Sequence, residues 1–429
     1  MTMSTDRTAD GGTPADAVAD TLPREVWVLV IANVLIAAGF GLVAPAIPIF
    51  ADSFNVGITA ASLVISAFAA ARLLFAPVAG GLVSRLGERK VYLTGLLIVA
   101  LSTGATAFAN GYVQLLVFRS AGGIGSTMFT VSAIALLIHL TPPPLRGRAA
   151  GLFGTGFLIG NVIGPLAGGG LIEINIRAPF LVYALALLIT TLFVWLMLRN
   201  STLISAADSD DAPALTLPAA LRDHAYRSAL LANFSFGWMV FGVRVALVPL
   251  FLVQVLQQRE GLVGIAFGVF AAANVAMLLL SGKLADTIGR KPFVLAGLGV
   301  TATGTIWMGL TSSLLEFMAA TVVAGLGAGL LTPPMQATVA DVVGSRGRGG
   351  PVLATFQMAA DVGAILGPLL GGALAEDVSF GLAFGLTGAL ALIAALVWVP
   401  ARETLPRKQE EPHHPTPEQS CELDARRQP

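Results

Sequence analysis

Charge is scarce in this chain and cysteine almost absent: of 429 residues only 12% are charged, 55% are hydrophobic and one is cysteine. So little polar surface excludes a soluble globular protein of this size. The lone Cys421 sits in a polar, Pro-rich tail, which excludes a disulfide framework and a cysteine-based metal site. His413-His414 lies in the same tail without partner ligands at metal-site spacing. No basic block argues for a nucleic-acid partner. There is no Walker A loop, and no nucleophile, base and acid set in a soluble domain, so ATP-driven pumping, enzymatic catalysis and a bound cofactor are disfavoured. The N-terminus carries no short apolar core followed by a small-residue cleavage site and reads as a retained tail rather than a signal peptide.

What the chain has is long apolar runs. Cut into spans of about 20 residues, they number twelve: 26–50, 58–82, 91–110, 113–139, 148–172, 178–198, 228–255, 262–282, 291–311, 315–342, 351–375 and 380–400. An even count puts both termini on one side. Arg85, Arg89 and Lys90; Arg146 and Arg148; Arg199, Arg222 and Arg227; Lys283, Arg290 and Lys291; and Arg346 and Arg348 all fall on that face, against Arg177 and Arg259 on the other. The positive-inside rule makes the face cytoplasmic. The chain is thus expected to be an all-α polytopic protein of the cell membrane: a tail (1–25), a six-helix bundle (26–199), a cytoplasmic linker (200–227), a second six-helix bundle (228–401) and a disordered tail (402–429).

The halves repeat one another. Gly160-Asn-Val-Ile-Gly164-Pro165-Leu-Ala-Gly168-Gly169 recurs as Gly363-Ala-Ile-Leu-Gly367-Pro368-Leu-Leu-Gly371-Gly372. A proline with glycines four apart ruins a soluble helix but lets two membrane helices approach closely. Gly80-Gly-Leu-Val-Ser84-Arg85-Leu-Gly87-Glu-Arg89-Lys90 likewise aligns with Gly282-Lys-Leu-Ala-Asp286-Thr-Ile-Gly289-Arg290-Lys291, Gly123-Ile-Gly125 with Gly325-Leu-Gly327, and Arg146-Gly-Arg148 with Arg346-Gly-Arg348. The offsets of 200 to 203 residues mark parallel copies, an architecture of secondary transporters.

In these motifs the chain resembles the major facilitator superfamily, within it the twelve-helix drug:proton antiporters. The loop after the second span is similar to the family's G-x-L-x-D-x-x-G-R-K signature, Arg119-Ser-Ala-Gly122-Gly123-Ile-Gly125 to its R-x-x-x-G-x-G motif, and the fifth span to its antiporter motif. The resemblance implies alternating access, a conformational latch around Gly80, Gly87, Arg89, Asp286, Gly289 and Arg290 that closes the cytoplasmic side, and a role for Arg119 in proton coupling. Ser84 departs from the family's Asp, which weakens or rebuilds the first latch. Gly122-Gly123-Ile-Gly125, inside a span, is no dinucleotide site.

Gly156, Gly160, Gly164 and Gly168, repeated as Gly363, Gly367 and Gly371, form a side-chain-free helix stripe. It reads as close packing, as a sliding contact on which the halves rock, or as both. Four ionisable residues lie well inside the spans: Arg72, Arg119, Arg244 and Asp361. Each costs about 2.5–3.5 kcal/mol near the bilayer centre if it faces lipid. Asp361, about 200° around its helix from Gly363, points away from the glycine seam. It is the candidate proton carrier, with a static arginine ion pair as the competing reading. Arg72 falls toward the cytoplasmic half of its span, where it snorkels; Arg244 nearer the outer half reads as a gate, a substrate contact or another snorkelled residue. Since the family's central path is lined by the first, fourth, seventh and tenth spans, Asn33, Phe40, Met128, Phe129, Trp238, Met239, Phe241, Met335 and Gln336, with Gln357 and Met358, are candidate cavity residues. The same residues also serve ordinary packing.

The expectation is therefore a monomeric proton antiporter exporting small lipophilic or amphipathic compounds. Transport of one metabolite or organic anion, and a transport-inactive sensor, are the alternatives.

Overall fold

The structure is a computed structural model and describes residues 22–142, 145–199, 216–344 and 350–405. Arg346 and Arg348, most of the linker and both tails, with His413, His414 and Cys421, lie outside the described residues. Among the described residues no strand occurs. Twelve helices are long and apolar enough to cross a membrane: α1 (Arg24–Asp52), α2 (Ile58–Leu86), α3 (Glu88–Ala107), α4 (Tyr112–His139), α5 (Arg146–Ile174), α6 (Ala178–Leu198), α7 (His224–Val255), α8 (Gly261–Ile288), α9 (Arg290–Leu310), α10 (Leu314–Val343), α11 (Gly350–Asp377) and α12 (Phe380–Trp398). They pack as two six-helix bundles, α1–α6 and α7–α12, with both described ends on one face, here the terminus side; the opposite face is the far side.

Burial sorts the helices. In α1 and α7, 67% and 72% of the apolar stretch is buried, against 33% in α2, α5, α6, α8 and α12, so the first pair forms the interior and the others present a face to lipid. Leu74, Ile174 and Leu315, each more than three-quarters exposed, belong to that lipid-facing surface.

Two joints follow from glycine. α2 and α3 are joined through Gly87 alone (φ 83°) and α8 and α9 through Gly289 alone (φ 131°), in the left-handed region where a side chain is strained. α2 and α8 therefore run four and six residues beyond the apolar spans, and Ser84 and Asp286 sit on helix rather than loop.

The glycine stripes pack inside their own halves. A Cβ on Gly160 would stand 2.6 Å from Ala38 N, one on Gly164 2.1 Å from Ala38 O, and one on Gly168 2.3 Å from Leu42 O, all on α1. In the second half Gly363 and Gly367 lie as close to Phe234 and Trp238 on α7. The expected sliding contact between halves is thus one residue away. Gly169 meets Gly261 and Gly264 on α8, and Gly372 meets Ser62 and Thr59 on α2. In each G-G pair the first glycine binds its own bundle and the second its partner.

A matching hydrogen bond joins each seam. Asn33 on α1 donates to Phe153 O on α5 (2.8 Å) and its repeat-mate Asn233 on α7 to Phe356 O on α11 (2.6 Å). Buried amides satisfied by backbone in equivalent places are structural clamps.

Candidate functional site

The two bundles meet on the far side. Ser66 on α2 donates to Ile365 O on α11 (2.6 Å), and Gln254 on α7 to Asp52 on α1 (3.2 Å). Near the far-side end of α11, Glu376 accepts from the backbone N–H of Thr59 at 2.8 Å, where α2 begins. Its repeat-mate Glu173 on α5 stands against Gly261, where α8 begins: a Cβ there would lie 2.3 Å from Glu173 Oε1. Each bundle thus places a carboxylate at the positive end of a helix in the other. On the terminus side Gly80, Gly81, Gly147, Gly151, Gly154 and Gly350 have no neighbour within 4 Å of an added Cβ, so the small-residue surfaces that would bring the halves together there stand apart. The molecule is closed on the far side and open on the terminus side.

Two of the four intramembrane charges face each other at the apex of that opening. Arg72 is the central residue of α2, fourteen positions from Ile58 and fourteen from Leu86, so it does not snorkel; its guanidinium donates to Ser126 on α4 (3.3 Å). Asp361 on α11 feels the Arg72 charge from across the halves, with Gln357 beside its carboxyl. It makes no ion pair among the described residues. The Ser66–Ile365 bond closes the path a little over a turn farther out.

The other two arginines, Arg119 buried and Arg244 half-buried, lie on repeat-equivalent rings. Arg119 lies over Phe68 of α2 (4.6 Å to the ring centroid), near Tyr183, with its Nε buried and unpartnered. Arg244 lies over Phe270 (4.3 Å) and Phe267 (4.6 Å) of α8 and donates to Val240 O. Phe68 and Phe270 are repeat-mates, 202 residues apart, yet their cations come from helices that are not, α4 and α7. Aromatic faces replace a counter-ion in both places. The segment Gly237–Val243 of α7 is π-helical, an irregularity that re-aims side chains and is frequent at functional sites.

The expected cavity residues divide. Phe241 is exposed although α7 is mostly buried, and Gln336, Gln357 and Met358 are exposed. Asn33 is engaged in the clamp to α5, and the Trp238 indole N–H donates to Thr387 on α12 (3.2 Å), under Gly367. Phe129 is half-buried against the core and its backbone packs on Gly95.

Around Gly289 the structure assembles more than the motif shows. Arg290 pairs with Asp286 one turn back and with Asp341 on α10 (3.3 Å); Thr404 also donates to Asp341 (3.0 Å). Glu403, beyond α12, accepts the backbone N–H groups of Arg290 (2.8 Å) and Lys291 (3.0 Å), capping α9. All of this lies within one half, so Asp286 latches nothing across the bundles in this conformation. Asp341 and Glu403, distant in sequence, carried no signal in the motif.

The chain belongs to the Major Facilitator Superfamily, whose model matches residues 29–259 and 229–427. It is 24% identical over 328 residues to the class H tetracycline resistance protein of Pasteurella multocida, covering 74% of this chain and 82% of that protein. Over 173 residues it is 29% identical to multidrug resistance protein 1 of Bacillus subtilis, covering 40% of this chain and less than half (44%) of that protein. In fold it is similar to a bacterial homologue of the human lysosomal transporter Spinster in an inward-facing conformation, with a TM-score of 0.74 at 17% identity over 87% of this chain and 95% of that one. The protein is a multi-pass membrane transporter of this superfamily, a class that acts on small molecules.

Proposed function

We propose that the protein exports small lipophilic or amphipathic compounds across the cell membrane in exchange for protons, by alternating access, with both termini cytoplasmic. One observation carries the coupling: Asp361, the sole carboxylate well inside the spans, stands unpaired at the apex of the open cavity, facing Arg72 of the other half. A carboxylate there answers to both bundles, because any movement of α2 against α11 changes its distance from a fixed cation. A nearby guanidinium weights Asp361 toward its ionised form, and withdrawal of Arg72 weights it toward a proton. Substrate entering the cavity then displaces the proton, and a proton arriving from outside displaces substrate. The relatives named for tetracycline and multidrug resistance support export of lipophilic compounds.

The test uses the purified protein in liposomes loaded with a pH-sensitive dye. Lipophilic cations, neutral compounds and organic anions are each added to wild type and to Asp361→Asn. Substrate-driven proton movement in wild type that vanishes in the mutant, with binding retained, is the expected result. Substrate flux without protons, or normal coupling in the mutant, removes Asp361 from the mechanism.

A further inference from the structure

On the terminus side the two halves solve one problem differently. α3 and α9 begin in the same way, each after a single positive-φ glycine, and each turns its first N–H groups and the positive end of its dipole outward. In the second half Glu403 fills the place in front of α9. In the first half no described side chain caps α3. Instead there is a cavity of about 430 Å³ lined by Leu86, Gly87, Glu88, Arg89, Lys90, Leu93 and Trp195.

The lining fits an anion with an apolar body. Arg89 donates to Arg199 O (3.0 Å), which ties α3 to the end of α6, and Arg199 lies 5.8 Å from the Trp195 ring centroid. Glu88, the one acid present, pairs with His139 on α4 (3.0 Å). Lys90 is exposed and makes no ion pair among the described residues. Leu86 and Trp195 are about half exposed toward the lipid. Basic groups over an exposed aromatic and leucines, at the end of membrane helices, match the boundary between headgroups and acyl chains.

We propose that this cavity holds the headgroup phosphate of an anionic phospholipid, standing where Glu403 stands in the other half. Lys90 and Arg89 meet the phosphate, and the acyl chains run along Leu93 and Trp195. The lipid completes the first half's charge cluster from outside the chain. It also occupies the joint between α2 and α3.

The full-length protein in phosphatidylcholine nanodiscs tests this, with acyl-brominated phosphatidylglycerol or acyl-brominated phosphatidylcholine titrated in. The quenching difference between wild type and Trp195→Phe isolates Trp195. The expected result is half-quenching by phosphatidylglycerol at a mole fraction about fivefold lower than by phosphatidylcholine, with about that factor lost in Lys90→Gln. Lys90 is exposed, so this variant keeps its fold, which its elution profile checks. Equal quenching by the two lipids, or an unchanged preference in Lys90→Gln, overturns the site. Displacement of phosphatidylglycerol by inorganic phosphate also overturns it, since a soluble anion would then be the occupant.

Discussion

The two faces of this transporter treat its internal symmetry in opposite ways. On the far side the halves act alike: Glu376 reaches the start of α2 and Glu173 the start of α8, and Gly372 and Gly169 sit in equivalent crevices. On the terminus side the second half gathers Asp286, Arg290, Asp341, Glu403 and Thr404, while the first offers Ser84, with Glu88 turned to His139. The repeat was thus kept where the halves touch in this conformation and abandoned where they are parted. The intramembrane charges follow the second pattern. The repeat-mate of Arg72 is Asn274, so the fold does not require that charge.

The largest effect expected from breaking the comparison comes from the seams. Leucine at Gly164 or Gly367 drives a side chain into backbone already within 3 Å of a Cβ, and should abolish folding or transport. The milder substitution separates the halves. Gly168→Ala meets Leu42 O at 2.3 Å and should cost about 1–3 kcal/mol, whereas its mate Gly371→Ala finds only Val243 and Leu247 side chains beyond 3 Å and should be tolerated. Thermal unfolding in detergent measures both; equal losses would erase the distinction.

Next come the far-side carboxylates. Glu376→Gln and Glu173→Gln should each shift the population toward far-side opening, Glu376→Gln more so because its carboxylate holds the Thr59 N–H. Distances between spin labels on the far-side ends of α2 and α11 read this, after replacement of the single native cysteine. Unchanged distances in the double variant would show that the small-residue seam alone closes the gate.

A smaller effect, confined to one half, follows from Glu403. Burial pushes its carboxyl up, but the N–H groups of Leu405, Arg290, Lys291 and Thr404 outweigh burial and hold it below the usual carboxylate range. With a depressed folded value, its contribution is present above the ordinary carboxylate pKa and is lost as pH falls through the folded value. Glu403→Gln should cost about 1 kcal/mol near neutral pH and flatten stability against acid in that range. Parallel acid titrations of the melting temperature check the sign.

The smallest effect expected is that of Ser84→Asp. The new carboxylate would face Glu88, which stands where the other half has Arg290, so transport should barely change. Only the pair Ser84→Asp with Glu88→Arg rebuilds the second half's ion pair. A gain from the single substitution would mean that its partner lies elsewhere.

Much of this architecture was legible in the chain, because membrane spans are written in local composition and the repeat in spacing. Gly87 and Gly289 stood out in the repeated loop motif, and both have the positive φ values that favour glycine. What stayed hidden depended on direction or distance. The stripe Gly160–Gly164–Gly168 was visible, but a helix turns about 100° per residue, and only packing shows that the next glycine, Gly169, faces the other bundle. Asn33 reads equally as a cavity amide or a clamp until Phe153 O is found within reach. Asp341 and Glu403 reach Arg290 from 51 and 113 residues away, beyond any local pattern. Asp361 was noticeable for its rarity, but Arg72 as its neighbour came from the seating of α2 on α11.

The joints at Gly87 and Gly289 have a mechanical consequence. A connection of one residue, two Cα–Cα steps of about 3.8 Å each, leaves little slack between the helices it joins. α2 and α8 each meet the opposite bundle, against α11 and α5, so any tilt they take passes undamped into α3 and α9, as through a crank. Helices on the outer wall, which touch neither cargo nor the partner bundle, are thereby geared to the stroke, and the surrounding bilayer moves with it.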